Sequence, residues 1–383
     1  MRNVYSASDP KWQNMDKSKF VLVQTEEKIL DATFESKPIG FFKDAALRFV
    51  KSKVSIAALV GIIITIFFSI FGPSMNQFGY NDQNLDYINL PPRVPALAQF
   101  GIMDGSRVLQ NRRVDGLGDT TRYPEGCILR VFNQREVKGV QMCDIEVDYY
   151  KYSSVPDDIN FWLGSDYLGR DLWTRMWRGA RVSLMIAFIS VFVNVFIGIV
   201  YGSIAGYYGG KADMIMMRIT EIINAMPQLV VVTLFILFFG TGMVSIILAL
   251  VVQNWIGTAN LIRAQFYRYK GSEYVLASRT LGVKDRVLIF RHILPNTIGP
   301  IITRAMIAIP GAIFTESFLA YIGLGIRAPE SSIGVLLSQG QKVMQQYPNQ
   351  VLYPAIMISL LMISFNMLSN GLRDAFDPTQ RGV

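Results

Sequence analysis

Six stretches of this chain are long and apolar enough to be stable only inside a bilayer. They cover residues 54–72, 182–206, 222–240, 243–261, 298–324 and 351–368. About 20 mostly apolar residues span the hydrocarbon layer as a helix. Backbone polar groups there must bond within their own segment, which leaves the helix as the form for runs of this length. The expected fold is therefore an all-α polytopic membrane protein: a first span followed by a five-helix core at 182–370. Only 17% of residues are charged, against about a quarter in soluble proteins. The first run, VSIAALVGIIITIFFSIFG, carries no charge, and more than fifty residues precede it. Its length and position are those of a span and not of a cleavable signal peptide.

Basic residues orient the bundle. Lys43, Arg48, Lys51 and Lys53 crowd the start of the first run. The loop 262–297 holds Arg263, Arg268, Lys270, Arg279, Lys284, Arg286 and Arg291. The loops on the other side hold none in 241–242, and Arg327 and Lys342 in 325–350. Lys and Arg mark short cytoplasmic loops, so regions 1–53 and 371–383 are expected in the cytoplasm and 73–181 outside. The net charge of +8 is then a feature of topology. No basic stripe with interleaved aromatics points to nucleic acid. Phe42, Ala46, Phe49 and Val50 recur at helical spacing among the first basic cluster. That pattern suits a helix lying in the membrane interface, in preference to a disordered basic flank.

The segment 73–181 is too long and polar for a connector. Within it, 126–150 (GCILRVFNQREVKGVQMCDIEVDYY) alternates apolar and polar residues on both sides of a turn-like centre. Period-two alternation predicts a β-hairpin or small sheet. Cys127 and Cys143, the chain's two cysteines, flank that centre on the expected oxidising side, where disulfides persist. Two unpaired small residues are the alternative; strand pairing favours the bridge, which would contribute on the order of 3 kcal/mol.

Catalytic chemistry is not indicated. The single histidine, His292, excludes HExxH and His-rich metal sites, and no metal site is expected. No GxxxxGK[ST] phosphate loop occurs; AGYYGGKAD around Lys211 lacks the first glycine and the hydroxyl. The chain itself is not expected to bind or hydrolyse ATP, or to hold any cofactor. Polar groups do fall within the spans: Gln253 and Asn254 in the fourth, Arg304 and Glu316 in the fifth. Such groups are costly in lipid and face a cavity or a neighbour. Contact with a polar substrate, or a proton relay, stands level with simple pairing to neighbours near the two faces. Pro227 and Pro310 can bend their spans.

The loop between the fourth and fifth spans carries the most functional information. Ser272 can cap a helix with Glu273 in its first turn, where the dipole favours an acid. Gly282 can take the left-handed conformation that ends it. A second helix can run over about 284–294, with Asp285 in its first turn and Pro295 beyond its end. Two short helices at an angle would make a rigid knob for a soluble partner.

This loop resembles the EAA loop of binding-protein-dependent ABC importer permeases, in which E-A-A is followed by three residues, a glycine, nine residues and a hydrophobic-x-Leu-Pro ending. Leu276, Ala277 and Ser278 stand at E-A-A, Gly282 at the glycine, and Leu294 and Pro295 at the end. The departure is Leu276, which removes an acidic partner for a specific ion pair. WLGSDYLGRDLWTRMWRGARVSL, TESFLAYIGLGIRAPESSIGVLLSQG and LSNGLRDAFDPTQRG look like the C-type permease of oligopeptide and dipeptide importers. The resemblance covers about 160–383 closely and the first span loosely. Residues 80–158 look longer than the usual outer loop, and their role is not carried over.

The resemblance implies a bacterial plasma (inner) membrane subunit that forms half of a translocation pathway with a second, related permease. Two cytoplasmic ATPase subunits would hold ATP and Mg, and an extracellular substrate-binding protein would deliver peptide. Glu273, Leu276, Ala277, Ser278, Arg279, Gly282, Lys284, Arg291, His292 and Pro295 would make up the coupling element. Relatives carrying nickel or another small solute are one alternative. A proton-coupled peptide symporter is another, with Glu316 as its best residue, although such carriers generally use longer, repeated bundles.

Overall fold

A computed structural model describes residues 40–376. The expected disorder of residues 1–35 and most of the tail 371–383 lie outside the described residues. The first helix, α1 (Phe41–Lys51), is amphipathic, as the spacing predicts. Ser52 then breaks the chain with extended backbone and caps α2 (Lys53–Phe71) by accepting from the Ser55 N–H. The cap separates the basic flank from the first apolar helix, so the two do not form one rod.

Four further helices are long and apolar enough to cross a membrane: α3 (Leu172–Tyr208), α6 (Met243–Tyr269), α8 (Ile298–Leu319, within a run over Asp285–Leu324) and α10 (Asn349–Phe376). The expected span at 222–240 is different. α4 (Gly210–Asn224) and α5 (Gln228–Phe239) meet at 78°, because Pro227 takes an extended ψ of 127° at the start of α5. The described residues therefore hold five candidate spans, or six if this bent pair counts as one. Pro310, expected to bend its span, lies buried inside a helix that continues past it.

The core is built on close approach of α3 and α6. Gly198, Gly202 and Gly206 form a small-residue stripe; a Cβ at Gly202 would stand 2.3 Å from the Ala259 carbonyl oxygen. Such stripes let helix backbones touch where lipid supplies no hydrophobic drive. On the other side of α3, Ala58 and Ile62 of α2 pack with Leu361, Phe365 and Leu368 of α10 and with Ile309 and Ile313 of α8. Trp173 and Arg181 of α3 donate to the carbonyls of Gly72 and of Ser69 and Ile70, tying down the end of α2.

Residues 73–171 contain the small sheet expected there. β2 (Ile128–Val137) and β3 (Val140–Asp148) form the hairpin, turning at Lys138 and Gly139, both at positive φ. β1 (Ser106–Arg113) adds to the other edge of β3, giving the antiparallel order β1-β3-β2. β1 was not legible: SRVLQNRR lacks alternation and bulges between Leu109 and Arg112. The disulfide expectation is corrected. Cys127 and Cys143 are both free and buried. The backbone of Cys127 bonds to Asp148 at one end of β3, whereas Cys143 pairs with Arg112 on the opposite strand. Five residues of β3 separate the two levels, about 17 Å at strand rise.

The sheet is anchored to the helices through α3's lead-in. Asp166 accepts from the backbone of Leu168 and Arg170, from the Arg170 Nε at 2.8 Å and from the Arg175 guanidinium, and the Asp166, Arg170 and Arg175 side chains are nearly inaccessible. Gln350 of α10 donates to the Asn89 side chain and the Ser165 carbonyl. Thus the motif SDYLGRD is a buried ionic joint between the inserted segment and the bundle.

Candidate coupling surface and central cavity

α7 (Glu273–Thr280) lies between the ends of α6 and α8. Ser272 occupies the predicted N-cap, but its hydroxyl donates back to the Tyr269 carbonyl at 2.6 Å and leaves the helix start uncapped by a side chain. Gly282 follows at φ +78°, as the helix-ending role requires. Val275 is the one fully buried side chain of α7 and packs with Leu288, Ile289 and Ile293 against Ile262, Phe266 and Tyr207. Glu273, Leu276, Ala277, Arg279, Gly282, Lys284, Arg291 and Pro295 are exposed, while Ser278 and His292 are half-buried. Leu281 is 84% exposed, and Leu276 of α7 is exposed as well.

The second half of the loop departs from the expected knob. From Asp285 the chain turns helically through a wide-turn stretch at Leu288–Ile293 and a tight one at Leu294–Thr297, directly into α8. Pro295 does not end a helix; it occupies the first turn of the tight segment, where its missing N–H costs little. The chain from Asp285 to Leu324 thus forms one continuous 40-residue helical run directly after the α7 turn.

Polar contacts bind this surface to the bundle. The Tyr207 hydroxyl, at the end of α3, donates to Asp285 at 2.5 Å and accepts from Arg279 at 2.9 Å. Arg263 of α6 makes two bonds to Asp213 of α4, each 2.5 Å, and the Tyr267 hydroxyl donates to the same carboxylate at 2.8 Å. Lys270 donates to the Gly206 carbonyl. Sequence reading missed Tyr207, Asp213 and Tyr267; their only local signal is polar groups where apolar runs end. Arg279 is held more firmly protonated by the Tyr207 contact.

The four intramembrane polar candidates separate into two pairs. Gln253 donates to the carbonyls of Ile223 and Met226, satisfying the backbone at the α4–α5 break. Glu316 is fully buried and accepts from Ser183 of α3 at 2.9 Å, beside the start of α9 (Ile333–Gln341). Asn254 and Arg304, by contrast, line one cavity of about 270 Å³ between α3, α6 and α8, with Asn194, Thr258 and Thr315.

A long-helix membrane bundle with an exposed loop helix keyed into two spans is the architecture of a transporter's membrane subunit. Comparison with known sequences makes this particular. Residues 198–382 match the family model of the binding-protein-dependent transport system inner membrane component, and residues 40–92 match the N-terminal TM domain of oligopeptide transport permease C. The chain is 33% identical over 345 residues to the oligopeptide transport system permease protein OppC of Bacillus subtilis, covering 90% of this chain and 92% of that protein. It is 35% identical over 372 residues to the dipeptide permease DppC of Lactococcus lactis, covering 96% and 98%. With the B. subtilis dipeptide permease DppC it shares 44% over 229 residues, 60% of this chain and 72% of that protein. A chain of the inward-facing MetNI methionine ABC transporter aligns over 52% of this chain and 96% of its own, with TM-score 0.43 and 16% identity. The chain belongs to the binding-protein-dependent permease family and, within it, to the oligopeptide and dipeptide permease C group.

Proposed function

We propose that this chain is one permease subunit of an ATP-driven importer that carries oligopeptides or dipeptides across a bacterial plasma membrane. The observation that carries the reading is the exposed helix α7, bonded through Arg279, Tyr207 and Asp285 to the ends of α3 and α8. An ATPase that grips α7 moves two long helices with it. Leu276 and Leu281 offer an apolar contact where an acidic side chain would offer an ion pair, and Arg279, Lys284 and Arg291 surround them with positive charge. The bent α4–α5 pair counts as the sixth span, both termini are cytoplasmic, and the β-containing segment 73–171 faces outward. There it is available to the substrate-binding protein. A second permease completes the pathway, and two ATPase subunits hold ATP and Mg.

The test is reconstitution of this chain with a second permease, the ATPases and the binding protein in proteoliposomes. ATP-dependent uptake of labelled peptide is the expected result, with a large loss when Arg279 and Leu281 are replaced by alanine. Uptake driven by a proton gradient without ATPases would overturn the reading and return attention to Glu316.

A further inference from the structure

We propose that the cavity around Arg304 is a carboxylate subsite that engages the C-terminal carboxylate of a peptide in transit; the proposal rests on the peptide-import reading above. Arg304 projects from α8, is exposed, and has no hydrogen-bond or ion-pair partner among the described residues. Its guanidinium lies against Gly257 of α6, where a Cβ would stand 2.5 Å from Nη2. An unpaired cation inside the spans is stable only beside water, a partner or a ligand.

A second observation is independent of the charge. Asn194 of α3 lines the same cavity, is 7% exposed, and its Oδ1 has no hydrogen-bond partner among the described residues. A buried amide oxygen without a donor is costly, and Asn194 is one of the residues lining the space that Arg304 shares. Asn194 lies thirteen residues before Tyr207 on α3, about 20 Å from the coupling end at helical rise, and Arg304 lies six residues into α8, about 9 Å from that end.

Together the groups suit a ligand that brings an anion for Arg304 and a polar, hydrogen-bonding group beside it for the Asn194 side of the cavity. The end of a peptide has both, in its terminal carboxylate and the last peptide group before it. Arginine suits this role because its planar fork binds carboxylate at two points. Charge agrees: no acidic residue lines this cavity or the adjoining one of about 380 Å³, which shares Arg304 and adds Arg373 towards the end of α10. The two arginines mark a path on which a carboxylate finds no repulsion.

The experiment uses the complete importer in proteoliposomes and two peptides of one uncharged sequence, one with a free C-terminus and one amidated. The pair is selected for equal affinity to the binding protein. The wild type is expected to import the free acid about tenfold faster, the discrimination one charged hydrogen-bonding pair supplies. Arg304→Gln should abolish that preference by slowing the acid alone, and Arg304→Lys should restore part of it. Equal import of both peptides by the wild type, or an equal loss of both in Arg304→Gln, would overturn the subsite. So would failure of Arg304→Gln to co-purify with the second permease, which would identify Arg304 as a partner of an acid across the subunit interface. Absence of ATP-driven uptake of either peptide by the wild type would instead overturn the import reading itself.

Discussion

The Tyr207 hydroxyl links Arg279 of α7 and Asp285 to the end of α3, so Tyr207→Phe is the narrowest test of that polar connection. The ring stays buried against Phe266 and Ile293, and the variant should assemble normally. Loss of bonds to Asp285 and Arg279 should cost about 1–3 kcal/mol locally. Peptide uptake per ATP hydrolysed should fall severalfold; unchanged uptake would mean the contact only fills space. Asp171 makes a second prediction, with pH as the variable. It caps α3 by accepting from the Thr174 N–H at 2.8 Å, yet burial raises its pKa from 3.8 to about 6. A raised carboxyl binds its proton more tightly in the folded state. Its contribution is therefore full below about pH 4 and is lost as pH climbs through 6, up to about 3 kcal/mol. Asp171→Asn keeps an acceptor for the cap and removes the titration. Thermal melting of the purified protein should show the variant gaining on wild type between pH 4 and 6.5 and holding a constant lead above.

Among elements, the contact of α3 with α6 governs whether the bundle forms. Gly202→Val would force β-branched bulk into a backbone contact, since even a Cβ lies 2.3 Å from the Ala259 oxygen. Overpacking of this kind costs about 1–3 kcal/mol, occasionally more, and here neither backbone can retreat without disturbing Thr258 and Phe266. A lowered melting temperature and reduced membrane yield are expected for Gly202→Val, whereas Gly311→Ala, which meets open space, should be neutral. The spacing GIVYGSIAG puts glycine at every fourth position, a local signal that sequence reading missed. Its partner on α6 has no such signal, because nothing local says which helix face meets that stripe. The α4–α5 bend was half legible: Pro227 announces a break, but the 78° angle depends on Gln253, thirty residues away in sequence terms at its Ile223 contact.

For the whole molecule, the proposed topology makes a direct prediction. Cysteine introduced at Glu136, exposed on β2, should react with an impermeant maleimide on intact cells, and cysteine at Leu281 only after permeabilisation. Cys127 and Cys143 are inaccessible and should contribute no background. The reverse pattern would invert the chain in the membrane and remove α7 from reach of any cytoplasmic ATPase. The sequence by itself determined the helical membrane class, the placement of the long spans, the β-hairpin and the position of Gly282. These follow from apolar run length, period-two alternation and backbone preference, all short-range properties. Tertiary structure alone decided that Gln253 bonds to the α4–α5 break and Glu316 to Ser183, while Asn254 and Arg304 share a cavity. It also decided that the two cysteines lie apart and that the segment after Gly282 runs on into α8. Each depends on which surfaces meet, through register, helix rotation and long-range hydrogen bonds, and neighbouring residues do not encode those separately.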